Sequence, residues 1–293
     1  MRGEASVRRG TAVLGISCVV ALIGGCARTS TTAAPAAATR SGQLPGKFVW
    51  HDLVTKDPSA CSSFYGSLLG WRFEQTARLG RPYVLVRSGA HLVGGIVDVS
   101  DRAEAGAQWV SYLSVPDVDR SVEQVVAAGG RVLVAPTEVG NVARAAVVAD
   151  VQGAALGLAH IHAGDPPDTS RPAPGTFFWM EYLASDAAPA LRFYKALAGF
   201  ESAVSDKVEA LEYHVLRRDR ARAGLFQLPP EVKDVKPNWL PYVLVDDPAG
   251  LAAKVEALGG RVLLAPRPQI RGGSLAIVAD PTGAALALQK WPI

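Results

Sequence analysis

A single pattern is written twice in this chain. Residues 48–71 read FVWHDLVTKDPSACSSFYGSLLGW, and residues 177–200 read FFWMEYLASDAAPALRFYKALAGF. Trp50 answers Trp179, Asp57 answers Asp186, Phe64-Tyr65 answers Phe193-Tyr194, and Gly70 answers Gly199. Further along, GGRVLVAP at 129–136 answers GGRVLLAP at 259–266, and VVADVQGAALGL at 147–158 answers IVADPTGAALAL at 277–288. The offset is 129 residues at the Trp50/Trp179 match and 130 at the Gly129/Gly259 match. Each copy must therefore close its own sheet with the same alternation of apolar and polar positions. A chain of 293 residues accommodates two such domains of ordinary size.

Each copy divides again. Leu53 and Asp57 recur as Leu113 and Asp117, and Gly70 meets Gly130 at the same spacing. WHDLVTK and WVSYLSV alternate as strands, and DPSACSSFYGSLLG and DVDRSVEQVVAAGG read as helices. Asp57 and Asp117 stand at N-cap positions, Pro58 at a first turn, and glycines close both segments. RVLVAPTEV, RAAVVADV and ALGLAHI supply three further strands. The unit is βαβββ, present four times, and the fold class is α+β.

Residues 1–25 stand apart from this pattern. Arg2, Arg8 and Arg9 precede the apolar run TAVLGISCVVALIGG, which is short for a bilayer span. LIGGC then places small residues before Cys26. The order resembles a bacterial lipoprotein signal, which implies cleavage before Cys26, acylation of that cysteine, and a lipid-anchored protein of the cell envelope. Residues 26–46, rich in Ser, Thr, Ala and Pro, read as a flexible tether. The first domain is expected over 47–163, a Pro/Gly/Asp linker over 164–174, and the second domain over 175–293. With Cys18 in the leader and Cys26 lipidated, Cys61 is left without a disulfide partner and reads as a packed helical residue. The formal charge is +3; Arg2, Arg8 and Arg9 against Glu4 give the leader +2 of it, and no Lys/Arg run tracks phosphates. A nucleic-acid partner is excluded on that basis.

DPSACSSFYGSLLGW, VEQVVAAGGRVL and VADVQGAALGL, with their second-copy partners, resemble the vicinal oxygen chelate superfamily of glyoxalase I, extradiol dioxygenases and bleomycin-resistance proteins. The resemblance covers nearly all of residues 47–293. It implies two glyoxalase-like cups, each of eight curled strands. It also implies places for metal ligands: seven positions before each helix-capping Asp, and four after the Gly of a D-x-x-G turn. Those places hold Trp50, Val110 and Gly157 in the first copy, and Trp179, Leu240 and Ala287 in the second. None ligates a hard cation, so no metal and no cofactor is expected there. His51 is one position off register, which turns it to the other face of its strand unless a bulge intervenes.

The period of two puts Trp50 and Asp52 on the cup face, with Tyr112 from the fifth strand. The second copy offers Trp179, Glu181 and Tyr242. Each cup is expected to hold a Trp, a Tyr and a carboxylate, the aromatics as stacking walls and Asp52 or Glu181 as polar anchors. His214 and Gln227, opposite Val84 and Asp98 of the first copy, are further polar candidates in the second. An apolar concavity with a few polar groups suits a small, partly aromatic ligand. Three readings are open: a metal-free binder of such a molecule; a lyase, isomerase or dioxygenase using a metal near His51 or a carboxylate base; and an inert envelope protein whose aromatics merely fill the cups.

Overall fold

The structure is a computed structural model and describes residues 42–205, 212–232 and 234–292. The leader, most of the tether and Cys26 lie outside the described residues. The first domain runs β1 (Phe48–Thr55), α1 (Pro58–Leu69), β2 (Arg72–Arg78), β3 (Arg81–Ser88), β4 (His91–Asp98), β5 (Gln108–Ser114), α2 (Val118–Ala127), β6 (Arg131–Val139), β7 (Ala143–Ala149) and β8 (Ala155–Ile161). The second runs β9 (Phe177–Ala184), α3 (Ala187–Ala198), β10 (Glu201–Ser205), β11 (Tyr213–Arg218), β12 (Arg220–Gln227), β13 (Asn238–Leu244), α4 (Pro248–Ala252), β14 (Arg261–Leu264), β15 (Leu275–Ala279) and β16 (Ala285–Gln289). Each domain is one eight-stranded sheet, ordered β2-β3-β4-β1-β5-β8-β7-β6 and β10-β11-β12-β9-β13-β16-β15-β14. The two βαβββ units of a domain meet through their first strands, β1 against β5 and β9 against β13, both antiparallel.

The capping aspartates act as their positions predict. Asp57 accepts from Ala60 N at 2.9 Å, Asp117 from Arg120 N at 3.0 Å, Asp186 from Ala188 N at 3.0 Å and Asp247 from Gly250 N at 2.9 Å. These bonds satisfy donors that a helix start would otherwise leave unpaired. Gly70 and Gly199 close α1 and α3 in the left-handed region, at φ 69° and 65°, where a side chain would be strained.

The helices lie between the two sheets, and the two domains share their cores. One apolar cluster joins Leu113, Val125 and Leu156 of the first domain to Tyr182, Phe193 and Trp239 of the second. The other joins Leu53, Phe64 and Trp109 to Val243, Val255 and Leu286. The first unit therefore packs on the fourth, and the second on the third. Two matched hydrogen-bond chains cross the seam. Trp109 Nε1 donates to the Tyr65 hydroxyl at 3.1 Å, which donates to Asp280 Oδ2 at 3.2 Å. Trp239 Nε1 donates to Tyr194 at 2.8 Å, which donates to Asp150 Oδ2 at 2.6 Å. Cys61 is buried in the first of these seams, with its thiol 3.5 Å from Asp280 and 3.4 Å from Thr282. Burial pushes the thiol up to about 11, so it is a packed thiol and not a ready nucleophile.

Candidate functional site

The concave face of each sheet carries one polar cluster, and both clusters are built from the same kinds of side chain. In the first cup, β1 brings Trp50 and Asp52 to one face, with Trp50 opposite Tyr112 of β5 in register. Tyr83 of β3 and Arg78, the last residue of β2, complete the set. Asp52 Oδ1 accepts from Trp50 Nε1 at 2.8 Å and from the Tyr83 hydroxyl at 2.5 Å. Oδ2 accepts from the Tyr112 hydroxyl at 2.9 Å and from Arg78 Nη1 at 2.5 Å. The second cup repeats this around Glu181. Oε1 accepts from the Tyr213 hydroxyl at 2.8 Å and from Arg271, Oε2 accepts from the Tyr242 hydroxyl, and Trp179 Nε1 donates to Tyr213 at 3.1 Å.

Small residues make room for these rings. A Cβ on Gly95 would lie 1.8 Å from the Tyr83 hydroxyl, and one on Gly224 would lie 1.9 Å from that of Tyr213. Gly157 backs onto the Tyr112 ring, where a Cβ would come within 2.4 Å. Gly157 is also the place at which the superfamily's last-strand ligand would stand, so in this chain that place is taken up by the approach of Tyr112.

The electrostatics follow from burial. Asp52 and Glu181 are almost wholly buried, and an unpaired carboxylate there would be costly. Burial, then the neighbouring carboxylate, pushes Tyr83, Tyr112, Tyr213 and Tyr242 above the usual phenol range, so all four stay protonated and donate. Burial opposes the charge on Arg78 and Arg271, but Asp52 and Glu181 outweigh it and hold both guanidiniums above their ordinary range. Each guanidinium carbon lies over two tyrosine rings, 5.2 and 5.8 Å away for Arg78, 5.8 and 5.7 Å for Arg271.

Neither donor set fits a divalent cation. Each cup floor offers one carboxylate, already paired with a guanidinium whose charge would repel the ion, and phenols held in their protonated form. Among the described residues no group of three His, Cys, Asp or Glu side chains is arranged to hold a metal. His51 lies on the opposite strand face, buried, with Nδ1 2.8 Å from Ser111 Oγ and its ring 4.0 Å from Phe177. Burial pushes it down to about 3, so it is neutral at ordinary pH, and it does not return to the cup.

The structure brings together six of the eight candidates and separates two. Trp50, Asp52 and Tyr112, and Trp179, Glu181 and Tyr242, converge as strand alternation requires. His214 turns to the convex side, because Tyr213 before it takes the cup side; its Nε2 lies 3.3 Å from Glu212. Gln227 is exposed and accepts from Ala187 N at 3.2 Å, in the first turn of α3. Neither belongs to the cup. Asp52 accepts four hydrogen bonds and Glu181 three, so both are centres on which the cup's own donors converge.

Sequence reasoning missed four members, Tyr83, Tyr213, Arg78 and Arg271. The tyrosines carried a signal, since Tyr83 and Tyr213 occupy equivalent places in the duplication. The arginines carried none. Arg78 enters from the first half of its domain, beside the Leu79-Gly80 turn, and Arg271 enters from the last half of its own.

A separate cavity of about 340 Å³ lies between the domains, bordered by His51, Phe177 and Trp179. Its cations are engaged by the linker. Asp168 binds Arg222 at 2.7 Å and Lys47 at 3.1 Å, and Arg220 stands 3.7 Å away.

Comparison with known proteins agrees with this architecture. The model of the family described as "Glyoxalase-like domain" matches residues 49–158 and again 168–288. A Mycobacterium tuberculosis (strain CDC 1551 / Oshkosh) protein named "Putative glyoxylase CFP32" is 33% identical over 257 residues, covering 86% of this chain and 97% of its own length. The anthracycline biosynthesis protein DauV of Streptomyces sp. (strain C5) is 28% identical over 260 residues, covering 83% of this chain and 93% of its own. Among solved structures, the Mn(II)-bound glyoxalase from Novosphingobium aromaticivorans superposes with a TM-score of 0.57 at 16% identity, over 84% of this chain and 82% of that one. The 2,2',3-trihydroxybiphenyl 1,2-dioxygenase of Sphingomonas wittichii strain RW1 gives 0.56 at 16% identity, over 85% and 91%. At such identities these two structures share the fold.

Proposed function

Because this chain belongs to the glyoxalase-like domain family, as a member with two tandem domains, we propose that it binds a small, partly aromatic molecule in its cups without a metal. The observation that supports this most is the repetition of one cluster, a carboxylate, two tyrosines, an arginine and a tryptophan, in both cups. Packing alone would not call for the same polar set twice, with the arginine drawn from different elements each time. Trp50 and Trp179 are only partly buried, and an indole suits a planar ligand. The relatives named for anthracycline biosynthesis, 28% identical, support an aromatic ligand, since anthracyclines are fused planar rings.

The test uses tryptophan fluorescence and thermal melting of the full chain with a planar probe, 2-naphthoate. Binding is expected to quench fluorescence and to raise the melting temperature by mass action, by an amount that EDTA leaves unchanged. Loss of the effect with chelator, restored by a divalent ion, would establish a metal site and overturn the reading. No response at any ligand concentration would leave the cups filled and inert.

The glyoxylase name of the mycobacterial relatives favours an enzymatic reading as the second choice. Asp52 has four donors on two oxygens and no lone pair left to take a proton. Glu181 accepts three hydrogen bonds and keeps one position. Proton transfer, if the protein performs any, belongs to the second cup.

Export and a lipid anchor at Cys26 complete the proposal, resting on LIGGC and the tether that follows. Cys26→Ser is expected to shift the protein from the detergent phase to the aqueous phase on partitioning, and to change its mobility. Equal partitioning and mobility of mutant and wild type would show that no lipid is carried. Ala27 follows the cysteine. In a host with two membranes that residue favours the outer one.

A further inference from the structure

The two arginines have capacity that the clusters leave unused. Arg78 bonds Asp52 through Nη1, and the same nitrogen lies 3.4 Å from the Tyr83 hydroxyl. Its Nε and Nη2 make no hydrogen bond to a described residue, and neither is sealed from solvent. The Arg78 side chain is 21% exposed, whereas that of Asp52 is 1% exposed. The pair therefore has a buried end and an open end. Nε and Nη2 form one edge of the guanidinium plane, with two nearly parallel N–H groups, the spacing that a carboxylate accepts two-pronged. Arg271 also has an open end, though a different nitrogen is committed. Nη2 bonds Glu181, and the side chain is 20% exposed against 5% for its partner. Nε and Nη1, which do not share an edge, make no hydrogen bond to a described residue and are not sealed from solvent.

The backbone is arranged to deliver these groups. Arg271 has φ +49°, and Gly272 and Gly273 follow at +60° and +80°. A bulky residue in the left-handed region is strained, and such strain persists where the surroundings reward it. Here the side chain reaches a buried carboxylate. Arg78 precedes a turn in which Leu79 is held at φ +52°. Two unrelated turns have thus each placed a guanidinium between two tyrosine rings.

We propose that the molecule taken up by these cups is a planar organic acid, whose carboxylate is received by the free edge of Arg78 in the first cup and by the open nitrogens of Arg271 in the second. This rests on the binding reading above and specifies its ligand class. Asp52 and Glu181 are positioning residues. Each holds its guanidinium in one orientation and offsets enough of its charge to let it lie beneath the aromatic rim. The tyrosine hydroxyls are committed to the carboxylates, so the guanidinium nitrogens are the donors with capacity left for a ligand. The acid's ring would lie against the partly exposed indole.

The experiment compares 2-naphthoate with its neutral isostere 2-naphthamide by calorimetric titration of the full chain in detergent. The acid is expected to bind about tenfold more tightly, as one charge-assisted hydrogen-bonded contact warrants. That preference is expected to disappear in Arg78→Gln/Arg271→Gln. Should this variant fail to fold, Asp52→Asn/Arg78→Gln/Glu181→Gln/Arg271→Gln removes both partners of each pair and carries the comparison. Equal binding of acid and amide would overturn the acid inference while leaving the binding reading intact. An acid preference that persists in the folded variants would place the receiving group elsewhere and also overturn it. Binding of neither compound would overturn both readings together.

Discussion

Replacing Arg78 with methionine is expected to cost the fold about 3–5 kcal/mol, the penalty for leaving one member of a buried ion pair without its partner. The reason lies in the asymmetry of the pair. Arg78 is partly exposed and would be easily solvated alone, but Asp52 is 1% exposed and cannot recover water when the guanidinium leaves. Trp50, Tyr83 and Tyr112 would still donate to it, which sets the loss at the lower end of that range. Asp52→Leu/Arg78→Met should recover only part of the loss, because it removes the unpaired buried charge but leaves the Tyr83 and Tyr112 hydroxyls without their acceptor. Denaturant melts of the wild type, both single variants and the double variant check this. A loss below about 0.5 kcal/mol for Arg78→Met would place the pair with surface salt bridges and would mean that the cup floor is wet.

Asp280→Ala is expected to be worse still, at about 4 kcal/mol or more, in the range that marks loss of a whole buried network. Asp280 Oδ1 accepts from the backbone of Thr282, Gly283 and Ala284 at 2.8, 2.9 and 3.1 Å, which shapes the D-x-x-G turn. Its Oδ2 accepts from Tyr65 and Cys61 across the domain seam. One truncation therefore frees three turn amides and strips the acceptor from a buried phenol. Tyr65→Phe, which removes only the crossing bond and the acceptor of Trp109 Nε1, is expected to cost about 1–3 kcal/mol. Because the cores are shared between domains, both variants should keep a single unfolding transition, lowered in temperature. Equal losses for the two would show that the turn does not depend on its aspartate. Two separated transitions would show that the seam does not couple the domains.

Trp50, Asp52 and Tyr112, with Trp179, Glu181 and Tyr242, were legible because strand alternation is local. A period of two sorts each residue to a face whatever lies across the sheet. His214 has polar chemistry but the parity of Leu216, which belongs to the convex core. Its neighbour Tyr213, matched by Tyr83, was the residue that faced the cup. Gln227 likewise shares its parity with Leu225 of the convex core.

The duplication by itself determined the number of domains, the βαβββ unit, the capping aspartates and the absence of ligating side chains at the superfamily's usual metal positions, because each of these is set by the order of residues along one segment. The tertiary structure alone decided which unit packs on which, that Asp150 and Asp280 receive a tyrosine from the other domain, and that Arg78 and Arg271 arrive at equivalent points from non-equivalent elements. Those outcomes depend on sheet curvature and on where two distant loops end in space. The repeat register holds no record of it, because a guanidinium on a long side chain can reach a buried carboxylate from several directions, and the energy of the pair is set by where its charged ends meet, not by the route.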